Sequence, residues 1–200
     1  MNDALSCSTN RPKNAEVTSG LILEAARRRF LRESYESVGL RDIARDAGVD
    51  VALVSRYFGS KESLFREVLA IGSKDEIFPP DLADRDIPAF LARLFVEQQG
   101  EEGNEHAERM LIMLRSASSP TASQIVRETL KQDILLPMAE RLDGKAPEVR
   151  ASLSMAVWMG LTVLRTVMSV RPLCDNACDI VPYLERLFEA ALLEGRASDT

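Results

Sequence analysis

The spacing of apolar residues in the first third of the chain predicts amphipathic helices. The first helix is predicted to run from a cap at Thr18 or Ser19 to about Ser34, and its apolar face consists of Ile22, Ala25, Ala26 and Phe30. Residues 1–17 are polar and show no helical periodicity, so we expect them to form a flexible arm.

Two short amphipathic segments come next, at residues 40–47 and 51–58, each about two helical turns long. Between them lie Gly48, which suits the left-handed position of a turn, Val49, and Asp50, which can cap the second helix. These are the dimensions of a helix-turn-helix, in which the second helix enters the major groove of DNA. On spacing alone, a plain helical hairpin within a bundle fits equally well. The residues able to form the buried seam are Ile43, Val49, Val54 and Phe58.

The rest of the pattern predicts an all-α protein of about nine helices. Ser60 caps a helix that ends at Gly72, and the proline-containing, acidic segment 73–85 is the expected domain boundary. We therefore predict a three-helix helix-turn-helix domain over residues 18–72 and a second helical domain over residues 73–200. The later helices are predicted at residues 87–99, 105–117, 121–142, 147–170 and 176–193, with bends or breaks at Pro137 and Pro182.

The charge distribution changes the interpretation of an acidic chain. The formal net charge of -6 argues against a nucleic-acid-binding protein. Residues 1–72, however, contain 11 basic and 10 acidic residues, whereas the remainder contains 14 basic and 21 acidic residues. The arginines at positions 27–29, with Arg11 and Lys13 in the arm, are expected to give the first domain a positive surface.

Composition excludes several other classes of protein. Three cysteines do not make a disulfide framework, and we find neither a signal peptide nor an apolar run of about 20 residues, so a cytoplasmic protein is expected. The single histidine, with no phosphate-binding glycine loop and no cluster of metal ligands, argues against an enzyme, a cofactor and a metal site.

The run LRDIARDAGVDVALVSRYFGSKESLFREVL carries the linked motifs RDIA, AGV, YF and GSKE at fixed spacing. Over residues 18–72 the chain closely resembles the DNA-binding domain of the TetR family of bacterial transcriptional repressors. The resemblance implies base or phosphate contacts from the first short helix (40–47), which braces against the DNA backbone, and from the second (51–58), the recognition helix. It also implies that a tyrosine and a lysine bind phosphates. Arg56 is added because the helical spacing places it on the outer surface of the recognition helix. The expected DNA-contacting residues are Arg41, Val51, Ala52, Leu53, Ser55, Arg56, Tyr57 and Lys61.

The resemblance also implies a C-terminal domain that binds an inducer and forms a homodimer. The segment 147–170 is apolar on nearly all sides, so more than one of its faces must be covered. The residues expected at the dimer interface or in the core are Leu153, Val157, Leu161, Leu164, Leu184, Leu187, Phe188 and Ala191. Methionines at helical spacing suit a cavity for apolar ligands but are equally typical of an ordinary core. The expected pocket residues are Met110, Met113, Leu114, Met138, Met155, Trp158 and Met159.

We therefore expect a homodimeric repressor that binds a palindromic operator in double-stranded DNA and responds to a small apolar inducer. Two alternatives remain open at this stage. One is a thiol-based redox sensor that uses Cys174 and Cys178, and the other is a helical adaptor that binds protein and not DNA.

Overall fold

The computed structural model describes residues 11–70, 78–79, 81–97, 105–175 and 177–193. Side chains are described within these ranges from residue 15 onward, except at 174, 175, 177, 178 and 193. All regular structure in the described residues is helical, which confirms the predicted all-α class. In these parts of the chain no helix is long and apolar enough to cross a membrane.

The N-terminal unit consists of four helices, one more than the three predicted for this domain: α1 (Arg11–Arg32), α2 (Leu40–Ala47), α3 (Val51–Phe58) and α4 (Lys61–Ala70). The additional helix is α4, whose Leu64, Phe65, Val68 and Leu69 are buried with α1 and α3. The bounds of α2 and α3 agree with the sequence prediction. Helix α1 instead begins seven residues before Thr18, so residues 11–17 are helical and not an irregular arm. Pro12 does not prevent this, because a proline in the first turn removes only an N–H group that would have no helical partner.

The C-terminal unit contains α5 (Ile87–Glu97), α6 (Glu105–Ser116), α7 (Pro120–Leu130), α8 (Leu136–Glu140), α9 (Pro147–Thr162), α10 (Arg171–Asp175) and α11 (Ala177–Leu193). Helices α7 and α8 are joined by a π-helical turn over Lys131–Leu135 and together correspond to one predicted helix. Helix α10 was not predicted. Within the expected boundary segment 73–85, residues 73–77 and 80 lie outside the described residues, and its last two residues begin a short 3-10 turn at Asp84–Asp86.

The π turn before α8 has a local cause. Pro137 lacks an N–H group, and its ring would clash with the carbonyl of residue 133 in a regular α-helix. The wider turn removes that conflict, and the N–H of Leu136 donates to the carbonyl of Lys131, five residues earlier. The helix is therefore widened at Pro137 but not broken. A second π turn follows α9 over Val163–Val167, and Pro182 lies inside α11 without ending it.

Two hydrophobic clusters organise the described residues. The first joins α1, the helix-turn-helix and α4 to the apolar faces of α6 and α7, and at its centre Phe30, Tyr35 and Phe65 have ring centroids 4.9 to 6.0 Å apart. The second fills the space between α5, α8, α9 and α11 around Phe95, Trp158 and Phe188. Helix α6 contributes to both clusters and so connects the two units.

Candidate nucleic-acid interface and ligand cavity

The turn between α2 and α3 is built from local sequence. Gly48 adopts the left-handed conformation, with a φ of 67°, and the N–H of Val49 donates to the carbonyl of Ala44 at 3.0 Å. Asp50 caps α3 because its carboxylate accepts a hydrogen bond from the N–H of Ala52 at 2.7 Å. The turn and the start of the second helix are therefore fixed by two residues whose side chains suit these positions.

Helix α3 has one buried face and one exposed face. Val54 is buried in the first cluster, and Val51 and Phe58 pack against it. Ala52, Ser55 and Arg56 are exposed and follow the i, i+3, i+4 spacing that places residues on a single helical face. This face is the surface that a recognition helix presents to base edges.

The other expected DNA-contacting residues also reach the surface, but to different extents. Arg41 is exposed on α2, and Tyr57 is exposed near the end of α3. Leu53 is half-buried, as are Val51 and Lys61, so less of these side chains is available for contact. The structure thus places five of the eight expected residues at exposed positions.

Lys61, at the start of α4, is held against an aromatic ring. Its Nζ atom lies 4.2 Å from the centroid of the Tyr35 ring, and partial burial lowers the pKa of Lys61 from its ordinary value. Burial also raises the pKa of Tyr35 to about 12. The ammonium group is therefore positioned by Tyr35 and does not move freely in solvent.

The arginines at positions 27–29, which were expected to contribute to a positive surface, are each paired with an acid, and the side chains of Arg11 and Lys13 lie outside the described part of the structure. Arg27 contacts Glu24 and Glu108, and Arg28 lies 3.7 Å from Glu24. Arg29 binds Asp46 at 2.6 Å and Glu33 at 2.8 Å, and these hydrogen bonds raise its pKa. The pairs three or four residues apart are visible in the sequence, whereas Asp46 and Glu108 could not have been found without the fold.

The positive charge available to phosphates lies elsewhere. Arg41 and Arg56 are exposed, and among the described residues neither has an ion-pair partner. Arg56 belongs to the exposed face of α3, and Arg41 adds a second exposed charge on α2.

A cavity of about 310 Å³ lies in the C-terminal unit between α5, α6, α8, α9 and α11. Five of the seven expected pocket residues line it, namely Met110, Met113, Met138, Met155 and Trp158. Leu114 is exposed, and Met159 is not part of the wall. Sequence reasoning missed the remaining wall residues, which are Pro79, Phe90, Leu91, Leu94, Glu105, His106, Arg109, Ile134, Ser154 and Phe188. The apolar spacing of Phe90, Leu91 and Leu94 in α5 is a signal that could have predicted an inward face, but nothing in the sequence links that face to a cavity.

Polar groups interrupt the apolar wall. Arg109 is only 6% exposed, its Nη2 atom donates to Asp133 at 2.6 Å, and its Nε atom has no hydrogen-bond partner. Burial lowers the pKa of Arg109 despite the neighbouring carboxylate. The Ser154 hydroxyl is also buried without a partner. In the described residues no group of three or more His, Cys, Asp or Glu side chains could hold a metal ion.

Helix α6 joins the cavity wall to the DNA-binding unit. Met113 lines the cavity and is also buried in the first cluster, with α1 and α4. Glu108, on the same helix, pairs with Arg27 of α1. A second connection runs from Arg66 of α4 to Glu128 of α7 at 2.9 Å. A change in the position of α6 therefore has a direct route to α1.

The structure separates the residues expected at the dimer interface from those of the core, which the sequence could not do. Leu184 and Phe188 are buried in the second cluster of their own chain, which is the core alternative that the sequence left open for them. Leu153, Leu164 and Leu187 are exposed by 53%, 39% and 48%. The half-buried residues of the set are Val157, Leu161 and Ala191.

The side chains of Cys174 and Cys178, on which the redox alternative depends, lie outside the described part of the structure. The structure offers no observation in favour of that alternative.

Several solved structures share this fold. GusR of Salmonella enterica aligns with a TM-score of 0.68 at 15% identity, covering 94% of this chain and 100% of that one. NalD, described as the secondary repressor of the MexAB-OprM multidrug efflux pump in Pseudomonas aeruginosa, aligns with a TM-score of 0.62 at 21% identity, covering 92% and 99%. The multidrug binding protein EbrR, complexed with malachite green, has a TM-score of 0.63 at 17% identity, covering 87% and 97%. No curated protein matches the chain.

A helix-turn-helix joined to a helical domain with a cavity between its helices defines a transcription regulator with a ligand-binding domain. Residues 22–68 match the bacterial regulatory proteins of the tetR family, and residues 86–189 match the tetracyclin repressor-like C-terminal domain. The chain therefore belongs to the TetR family, and it is a DNA-binding transcriptional regulator. The resemblance seen in the N-terminal sequence is confirmed, and the match extends it to the C-terminal domain.

Proposed function

We propose that this regulator is a ligand-responsive repressor that acts in the cytoplasm as a homodimer on a palindromic operator, by binding and not by catalysis. The observation that carries the proposal is the cavity, because α6 forms part of its wall and also packs against the DNA-binding unit. NalD, which shares the fold, is described as a repressor, and EbrR and SmeT are described in complexes with malachite green and triclosan.

In the DNA complex, Arg41, Arg56, Tyr57 and Lys61 hold phosphates or base edges, and the exposed face of α3 enters the major groove. Ala52 is small and apolar, which suits contact with a thymine methyl group. Phosphate contacts fix the register of the helix on the duplex, whereas contacts from α3 select the sequence.

Dimerisation through α9 and α11 supplies the second recognition helix. Both helices expose large apolar side chains, a pattern that marks an interaction surface when the residues are contiguous. The exposed residues are Val149 and Leu153 in α9, Leu164 in the π turn that follows α9, and Tyr183 and Leu187 in α11. A two-fold axis through this surface places two copies of α3 against the two halves of a palindrome.

The ligand acts by changing the equilibrium between two arrangements of the recognition helices. It shifts that equilibrium only as far as its affinities for the two arrangements differ. When a ligand moves α6, the movement is transmitted to α1 through Met113 and the Arg27–Glu108 pair. The movement of α1 changes the distance between the two recognition helices of the dimer.

The experiment is selection of bound duplexes from a random DNA library by the full-length protein, followed by fluorescence anisotropy with the selected sequence. We expect a palindromic site and an affinity that falls steeply with salt concentration, because bound phosphates release counterions. Arg56→Ala should weaken binding, whereas Arg93→Ala, an exposed position on α5, should not. Selection of no duplex, or equal effects of the two substitutions, would contradict the proposed DNA interface.

The dimer is tested separately by sedimentation equilibrium. Leu187→Glu places a charge on the exposed face of α11 and should shift the protein toward monomer, whereas Leu114→Glu, at an exposed position on α6, should leave the dimer intact. A wild-type protein that is monomeric at micromolar concentration, or a dimer insensitive to Leu187→Glu, would refute the assignment.

A further inference from the structure

The cavity wall combines a large apolar surface with a buried cation, and this combination limits the class of ligand. Trp158, Phe90 and Phe188 provide aromatic surface, and the methionines provide polarizable contacts. Arg109 is buried in the same wall and keeps its guanidinium group in a poorly hydrated environment. A ligand that occupies this space must be apolar over most of its surface and must also accommodate a positive charge.

The hydrogen bonds of Arg109 are incomplete. A guanidinium has five N–H donors, and among the described residues only its Nη2 atom has a hydrogen-bond acceptor, which is Asp133. Asp133 is itself one third exposed, so solvent weakens its attraction for the buried cation. The Ser154 hydroxyl, from α9, is a second buried wall group without a partner. Buried polar groups are normally paired, and unpaired ones in a cavity wall indicate the place of a ligand or of water.

We propose, on the basis of the ligand cavity in the proposed function, that the effector is an aromatic small molecule with one anionic oxygen group, such as a carboxylate or a sulfonate. Its oxygen atoms accept hydrogen bonds from the guanidinium of Arg109, and the Ser154 hydroxyl is a second donor. A cationic molecule is disfavoured because it would bring a like charge to a buried arginine. Glu105, also in the wall, is exposed, so solvent screens its repulsion of the anion.

The test compares two fluorescent probes with the same anilinonaphthalene body. The probe 8-anilino-1-naphthalenesulfonate carries an anionic group, and N-phenyl-1-naphthylamine lacks it. Both emit strongly only in apolar surroundings. Trp158 is the single tryptophan of the chain and lines the cavity, so energy transfer from its indole reports binding near the cavity.

Arg109→Met should weaken binding of the sulfonate probe about tenfold or more and change binding of the neutral probe by less than about twofold. Asp133→Asn should strengthen binding of the sulfonate probe alone, because it removes the competing carboxylate. Ser154→Ala should weaken binding of the sulfonate probe severalfold. Ser116→Ala is the matched control: Ser116 is also a buried serine with an unpaired hydroxyl, but it lies outside the cavity wall.

The outcomes separate this inference from the proposed function. If neither probe accepts energy from Trp158, and a cavity-filling Leu94→Trp variant changes neither probe's affinity, the cavity binds no ligand and the proposed function fails with it. The second outcome is that both probes bind to the wild type and Leu94→Trp prevents binding of both, which shows that the cavity binds ligands. If Arg109→Met and Asp133→Asn then change the affinities of the two probes equally, or change neither affinity, only the preference for an anion is refuted. Should Arg109→Met fail to fold, Asp133→Asn and Ser154→Ala decide the question by themselves.

Discussion

Replacing Gly48 by alanine should destabilise the protein even though the new methyl group meets nothing. A Cβ atom built at Gly48 has no heavy atom within 4 Å, so no steric clash contributes. The residue has a φ of 67°, however, and side chains of L-residues rarely adopt this conformation. Gly20 provides a matched control, because it also has open space around its Cβ position but lies inside helix α1.

The magnitudes follow from backbone conformation alone. The left-handed conformation costs an L-residue roughly 1–2 kcal/mol. Alanine also reduces the conformational entropy of the unfolded chain, which stabilises the folded state by about 0.4–1 kcal/mol and offsets part of this cost. Gly48→Ala should therefore lower the free energy of unfolding by about 1 kcal/mol. At Gly20 the helical conformation suits alanine better than glycine, and the substitution should raise the free energy of unfolding by about 0.5–1 kcal/mol.

Urea unfolding of both variants and the wild type, followed by circular dichroism at one fixed protein concentration, measures these changes. The concentration must be fixed because the proposed dimer would make the apparent stability depend on protein concentration. In thermal unfolding, 1 kcal/mol corresponds to about 2–4 °C for a chain of this size. The reasoning is refuted if Gly48→Ala is as stable as the wild type. It is also refuted if both substitutions shift the urea midpoint in the same direction while the slope of the unfolding free energy against urea concentration is unchanged.

Three further predictions follow from the same geometry. Asp50→Ala should lower the free energy of unfolding by about 1 kcal/mol, measured by urea unfolding, because α3 loses its cap, whereas Asp50→Ser should retain most of it. Lys61→Ala should reduce the slope of log affinity against log salt by about 0.9, measured by anisotropy with operator DNA, and Lys131→Ala should not. Asp46, whose pKa is lowered mainly by its hydrogen bond from Arg29, stabilises the fold above its unfolded pKa, and this contribution is lost as pH falls below about 4. Urea unfolding at pH 7 and pH 3 should therefore show a smaller acid-induced loss for Asp46→Asn than for the wild type.

Local sequence was sufficient for the helix-turn-helix. The bounds of α2 and α3, the left-handed Gly48 and the Asp50 cap were predicted from residues within one turn of each feature. The predicted start of α1 was too late, because the first turns of this helix are polar and have no apolar periodicity. They are nevertheless helical, since they continue directly into the part of α1 that has an apolar face. Helix ends without a strong stop or start residue are the least determined by local pattern.

Charge was harder to predict than helical structure. A count of residues suggested a positive patch at positions 27–29, yet each arginine has an acidic partner. The contact between Arg27 and Glu108 joins residues 81 positions apart in the chain. Periodicity carries no information about such a pair, so the surface potential of the DNA-binding unit could be assigned only after folding.

The sequence by itself determined the helical class, the recognition helix and the apolar character of segment 147–170, because these depend on spacing and on short-range turn chemistry. The tertiary structure decided which apolar residues are core and which are exposed. It buried Leu184 and Phe188, left Leu187 at the surface, and brought Arg109 and Ser154 into one cavity wall. Helical periodicity gives the direction of a side chain on its own helix, whereas burial depends on which other helices pack there, and that is a property of the whole fold.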